Sequence, residues 1–225
     1  MRKNGSRLIS FKQYCLTDLF LFAVILVAFE LILHFAGVAY GGTFSVSPLI
    51  PITLLVIMRW GWQGAFFAVG DGLLVCLLNL KTEGFAPYLF AVYIIGNSFI
   101  MLVLLMTRFM GKEKIRGKWY FSVLFALSGW VAVVIGRVLV FVCFGQDFVA
   151  ALVGQLIDLL SPVIAVLLIL VMRRLDGMFE DQRHFLLRMD KERKELQKRD
   201  EYGDEEIEID EELIKTIRKD DDLYK

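Results

Sequence analysis

The chain has 225 residues, a hydrophobic share of 57% and a mean hydropathy of +0.60, where soluble domains run nearer ~45–50% apolar. A formal net charge of zero hides a split: residues 1–175 carry 14 Lys+Arg against 7 Asp+Glu, and residues 176–225 carry 11 against 18. The first part is too apolar for a soluble fold, and its cations stand between apolar runs, where they set membrane topology rather than bind nucleic acid.

Residues 1–14 read as a polar cytoplasmic segment, and the apolar run behind them is too long for a signal peptide and lacks a cleavage site. Six apolar segments follow within residues 15–175, at about 17–38, 44–60, 62–80, 86–108, 119–143 and 149–172. All but the second approach or exceed the ~20 residues that cross a bilayer. The second is short and carries Pro48 and Pro51, so a broken or tilted helix is expected there. Between the second and third lies only "RWGW", with Trp60 and Trp62 suited to an interface turn. With the N-terminus inside, twelve loop Lys and Arg fall inside and only Lys81 outside. The predicted fold is an all-α integral membrane protein of six transmembrane helices, both termini cytoplasmic. The charged cytoplasmic tail, 176–225, is read as helical to about Arg199 and then acidic and disordered.

Polar residues inside apolar spans need partners or a water-filled cavity, so they point to a site. Glu30 and His34 share one face of the first span and are expected to pair near the first outer loop. Asp71 stands at the middle of the third span, between two glycines, and a structural partner is expected for it. Tyr93 and Asn97 share a face of the fourth, Arg137 lies in the outer part of the fifth, and Gln155 and Asp158 in the outer part of the sixth. These groups favour the outer half, as a cavity open to the outside requires and a continuous channel does not. Arg137 and Asp158, at similar depth, are candidates to pair or to share a ligand carboxylate.

Small residues form rows at four-residue spacing, Gly64–Ala68–Gly72 and Ser128–Ala132–Gly136, which lets helices approach closely. Within the chain they pack helices; facing outward they would dock a partner. Cys15, Cys76 and Cys143 are scattered, so neither a metal site nor a disulfide framework is expected. There is no P-loop, HExxH, nucleophile elbow or paired-carboxylate pattern. No enzymatic activity, metal or cofactor is predicted.

The stretch "SPLIPITLLVIMRWGWQGAFFAVGDGLLVCLLN", residues 47–79, resembles the second and third helices of the substrate-binding S components of energy-coupling factor (ECF) transporters. The span "VGQLIDLLSPVIAVLLILVMRR" is similar to that family's last helix, and the resemblance covers residues 15–175. It implies a multi-pass protein of the bacterial cytoplasmic membrane that captures a vitamin-like substrate from outside. Its implied partners are a membrane T component and two cytoplasmic ATPase subunits. By position, Tyr93, Asn97, Arg137, Gln155 and Asp158 would line the pocket, and the loop Tyr40–Ser47, with Gly41 and Gly42, would be its lid. The family's first helix carries an AxxxA docking motif; here Ala23 and Ala28 are five apart, which departs from it. The competing expectation is a structural scaffold, for cell shape or complex assembly, that recruits cytoplasmic partners through the tail.

Overall fold

The computed structural model describes residues 11–39, 46–83, 86–156, 160–175, 177–179, 181–182, 185–186 and 188. The lid positions Tyr40, Gly41 and Gly42, the residue Asp158 and most of the tail lie outside the described residues. Two compact units are formed, Met1–Asp181 and Gln182–Lys225. In the second, the Arg188 guanidinium lies 5.5 Å from the centre of the Phe185 ring. The first holds helices α1 (Phe11–Ala39), α2 (Leu49–Trp60), α3 (Gly64–Glu83), α4 (Pro87–Ala91), α5 (Val103–Met110), α6 (Lys112–Gly117), α7 (Trp119–Cys143), α8 (Phe148–Leu156) and α9 (Leu160–Met172). No strand occurs among the described residues.

Four helical stretches are long and apolar enough to cross a membrane: Lys12–Gly37, Leu49–Leu80, Pro87–Met110 and Trp119–Cys143. A fifth is made if α8 and α9, bent by 47° from each other, form one span. The chain is thus all-helical and multi-pass, and the count falls short of the six expected from the apolar runs. The difference lies in Leu49–Leu80, which by length is one span but is not one rod. A Cβ on Gly64 would lie 2.5 Å from Ile57 Cγ1 and 3.4 Å from the Thr53 carbonyl oxygen. In a straight helix Thr53 and Gly64 would stand ~16 Å apart. The chain therefore turns back between α2 and α3, at Gly61, whose φ of 72° suits glycine alone.

Helix α2 is the central element: every residue from Leu49 to Arg59 is buried. Neither proline breaks it. Pro48 precedes the first turn, and Pro51 falls in that turn, where a missing N–H costs nothing. Its 12 residues span only ~18 Å, less than the ~30 Å hydrocarbon core. Around it, α1 turns one stripe inward, with Cys15, Phe22, Leu26 and Glu30 buried while Leu16, Phe20, Phe29 and Phe35 are exposed. An apolar exposed face is what lipid, rather than water, accommodates. Helix α7 buries Ser122, Ala126, Gly129, Val133, Gly136 and Val140. This 4-3-4-3-4 spacing of small residues is the pattern of closely packed membrane helices.

The two small-residue rows divide cleanly. A Cβ on Gly72 would lie 2.5 Å from the Tyr93 carbonyl oxygen, and one on Gly136 would strike the Gly96 carbonyl. Ala68 and Ala132 are buried between them. These rows therefore pack helices within the chain. On α1, Ala23 is partly buried against the core, whereas Ala28 is exposed.

At the C-terminal end of α2, Arg59 is 4% exposed. Its Nε and Nη2 donate to the two Asp18 carboxylate oxygens at 2.8 and 2.7 Å. Asp18 also accepts from Trp60 Nε1, and the Arg59 Nη1 donates to the Gly177 carbonyl. Phe179 is fully buried, edge-on to Phe125 at 6.0 Å. The packed unit thus continues past Arg174 and is tied to α1 and α2 by one guanidinium.

Candidate functional site

At the other end of α2 polar residues of α1, α3, the α4–α5 stretch, α7, α8 and α9 converge. The crossing of three backbones puts them there. Between α4 and α5 the helix is irregular, with a π-helical turn at Val92–Gly96 and a tighter 3₁₀ turn at Phe99–Leu102. Helix α3 crosses the π-helical turn at Gly72, and α7 crosses it at Gly136 and Arg137, where a Cβ on Gly96 would lie 2.9 Å from Arg137 Cα. A π-turn is costly in a plain helix and is found where function or close packing demands it. Here it carries Tyr93 and stands next to Asn97.

Asn97 is fully buried and joins two charges. Its Nδ2 donates to Asp71 Oδ2 at 3.3 Å, and its Oδ1 accepts from Arg137 Nε at 2.8 Å. The amide orientation follows from its neighbours, a pure acceptor on one side and a pure donor on the other. Arg137 Nη1 donates to Gln155 Oε1 at 3.4 Å. Its guanidinium carbon stands 5.1 Å from the centre of the Tyr93 ring, a cation–π distance. Every direct partner of Arg137 among the described residues is neutral, and its Nη2 donates to none of them.

Ser47 closes the site from the N-terminal side of α2. Its Oγ donates to Glu30 Oε1 at 3.1 Å, and its backbone N–H donates to Ser161 Oγ at 3.1 Å. The end of the expected lid loop is thereby tied to α1 and α9. A cleft opens beside it, lined by Ser47, Leu49, Ile50, Trp130, Val133, Val134, Arg137 and Gln155. It has about 270 Å³ of empty space, open mouth included.

Of the residues expected to line a pocket, Arg137 and Gln155 do so. Tyr93 and Asn97 stand behind Arg137 and hold it. Asp71 has the structural partner expected of it. Glu30 does not stand at the rim as the mate of His34 alone: it is 6% exposed and belongs to the buried network through Ser47. Trp130 was not singled out by sequence, and Ser47 only as the end of the expected lid loop. For Glu30 a signal existed, since Phe22, Leu26 and Glu30 recur at every fourth residue of one helix face.

Against family models, curated proteins and solved structures, the chain matches none. Its function is therefore argued from the site. A guanidinium with an N–H edge that no described residue takes up, set against an aromatic ring at the wall of a cleft, can hold a carboxylate or phosphate. Trp130, Leu49 and Ile50 add an apolar wall beside it. Such a mixture of apolar surface with a few placed polar groups is the usual make-up of small-molecule sites. Among the described residues no group of three or more His, Cys, Asp or Glu comes together to hold a metal ion.

Proposed function

We propose that the chain is the substrate-capture subunit of an ECF-type importer in a bacterial cytoplasmic membrane, binding an anionic vitamin or related micronutrient. The reading takes α2 and α3 as a second and third span, giving six, with both termini cytoplasmic. The charge asymmetry of twelve loop cations against one supports that orientation. It puts the Arg137 cleft on the outer side and the Asp18–Arg59 pair at the inner interface. One observation carries the proposal: Arg137, half-buried within an apolar helix, is held by neutral groups among the described residues and lines a cleft. Among the described residues no carboxylate bonds Arg137 directly, whereas Arg59 is neutralised by Asp18.

Ligand pockets commonly measure ~300–1,000 Å³. The cleft is far smaller, with room for about one water, some 10 Å³, so in this reading capture requires its walls to part. Capture needs no chemistry of the chain itself; transport would be powered by two ATPase partners joined through a membrane T component. The competing reading, a membrane scaffold, rests on the 50-residue charged tail.

Affinity purification of the tagged full chain from its native membrane separates the two. An importer subunit brings down a membrane component and two ATPases without needing residues 176–225. A scaffold brings down cytoplasmic assembly proteins, and loses them when the tail is removed. Arg137→Ala is expected to weaken ligand binding roughly 10- to 100-fold, the worth of a hydrogen bond to a charged group. Glu30→Ala should weaken it less. Equal affinities in the two variants, measured by equilibrium binding, would take Arg137 out of the site.

A further inference from the structure

Asp71 is fully buried, and its Oδ1 has no hydrogen-bond partner among the described residues. Across from it on α1 lies the Glu30 carboxyl, near enough for the two acidic groups to act on each other. Two carboxylates are both acceptors, so their facing oxygens repel unless something positive stands between them. The surrounding elements do not supply it directly. From the π-helical turn comes the neutral Asn97, which occupies Asp71 Oδ2, and from the start of α2 comes Ser47, which occupies Glu30 Oε1. Helix α7 brings Arg137, which acts on both carboxyls only through space and spends its Nε on Asn97. His34, four residues along α1, acts on Glu30 in the same indirect way. With both carboxyls and the guanidinium ionised, this buried group carries one uncompensated negative charge, an arrangement the membrane interior penalises heavily.

We propose that Glu30 and Asp71 form a binding site for one monovalent cation, a proton or a sodium ion, held between the two carboxyl groups. The orphaned Asp71 Oδ1 is the open ligand position. Occupancy also sets the charge felt at the cleft. With the cation bound, the carboxyl pair carries a single negative charge, balanced by Arg137, so an arriving anion is not repelled by a second carboxylate. With it absent, the pair opposes an anion at Arg137. Cation binding and anion binding are thereby linked, and linkage of this kind is reciprocal. The cation site rests on the buried, unpartnered Asp71 Oδ1 and the neighbouring Glu30, and does not need the importer reading to be right.

The test uses the purified full chain in detergent at constant ionic strength. The melting temperature is followed against sodium, with potassium as the balancing ion, and against pH. Infrared spectroscopy over the same conditions reads the carbonyl band of a protonated carboxyl. If sodium is the cation, sodium raises the melting temperature; if a proton, the protonated-carboxyl band is present and sodium has no effect. Asp71→Asn provides a permanent donor facing Glu30, so it should abolish the sodium shift or remove the band, and Glu30→Gln should do the same from the other side. A wild-type protein with neither a protonated-carboxyl band nor a sodium-dependent melting temperature overturns the proposal, whatever the variants do. So does a response of either kind that survives unchanged in a folded Asp71→Asn or Glu30→Gln variant.

Discussion

Asp18→Ala is expected to destabilise the packed helices by about 3–5 kcal/mol, the usual cost of leaving a buried ion without its partner. The side chains of Arg59 and Asp18 are 5% and 14% exposed, so little solvent is at hand to replace the lost carboxylate. Both N–H···O bonds of the fork vanish together, and Trp60 Nε1 loses its acceptor as well. The Gly177 carbonyl remains to Arg59, but a carbonyl dipole does not neutralise a charge. Replacing both partners by apolar residues, as in Asp18→Leu with Arg59→Met, should cost much less than either single change, because no charge is then stranded. Reversible unfolding of the detergent-solubilised chain measures all of these. Asp18→Ala within ~1 kcal/mol of wild type would mean the pair is solvated like a surface salt bridge.

The second large effect is expected at Gly136. A β-carbon there would strike the Gly96 carbonyl and come within 2.6–2.7 Å of the Phe99 side chain. The first of these is backbone, so it cannot turn away by changing rotamer. Gly136→Val should therefore cost at least the ~1–3 kcal/mol of ordinary overpacking, and it should do more than destabilise. Pushing α7 off the π-helical turn separates Arg137 from Asn97, so ligand affinity should fall together with stability. Gly70→Ala is the control: beyond its own turn of helix nothing lies within 4 Å of a β-carbon there, and helix propensity favours alanine by about 1 kcal/mol. If Gly136→Val melts like the wild type, the close crossing of α7 and the π-helical turn is not as described.

These two sites differ in how far the sequence announced them. The small-residue row ending at Gly136 is legible from spacing alone, because close approach needs small residues at regular intervals. The same holds for the turn at Gly61, framed by Trp60 and Trp62. Asn97 and Arg137 were legible as polar residues out of place in apolar runs. What spacing could not supply is the order of contacts, Asp71 to Asn97 to Arg137 to Gln155, since that depends on where three helices cross. The π-helical turn at Val92–Gly96 has no proline or glycine pair to foretell it beyond Gly96 itself. Asp18 was overlooked although it lies four residues before Phe22 on the same inward face of α1 as Leu26 and Glu30. The length of α2 misled in the other direction: a short apolar run with two prolines at its start reads as a weak span, whereas every residue from Leu49 to Arg59 is buried.

Capture of a small anionic ligand by the cleft beside Arg137 can be read by native mass spectrometry of the full chain, incubated with a panel of vitamins and related micronutrients. One mass adduct is expected from an anionic member of the panel, retained in Glu30→Ala and lost or strongly reduced in Arg137→Ala. The same ligand at 100 times its dissociation constant should stabilise the wild type by ~2.7 kcal/mol. No adduct from a broad panel, or an adduct carried equally by the wild type and Arg137→Ala, would contradict it.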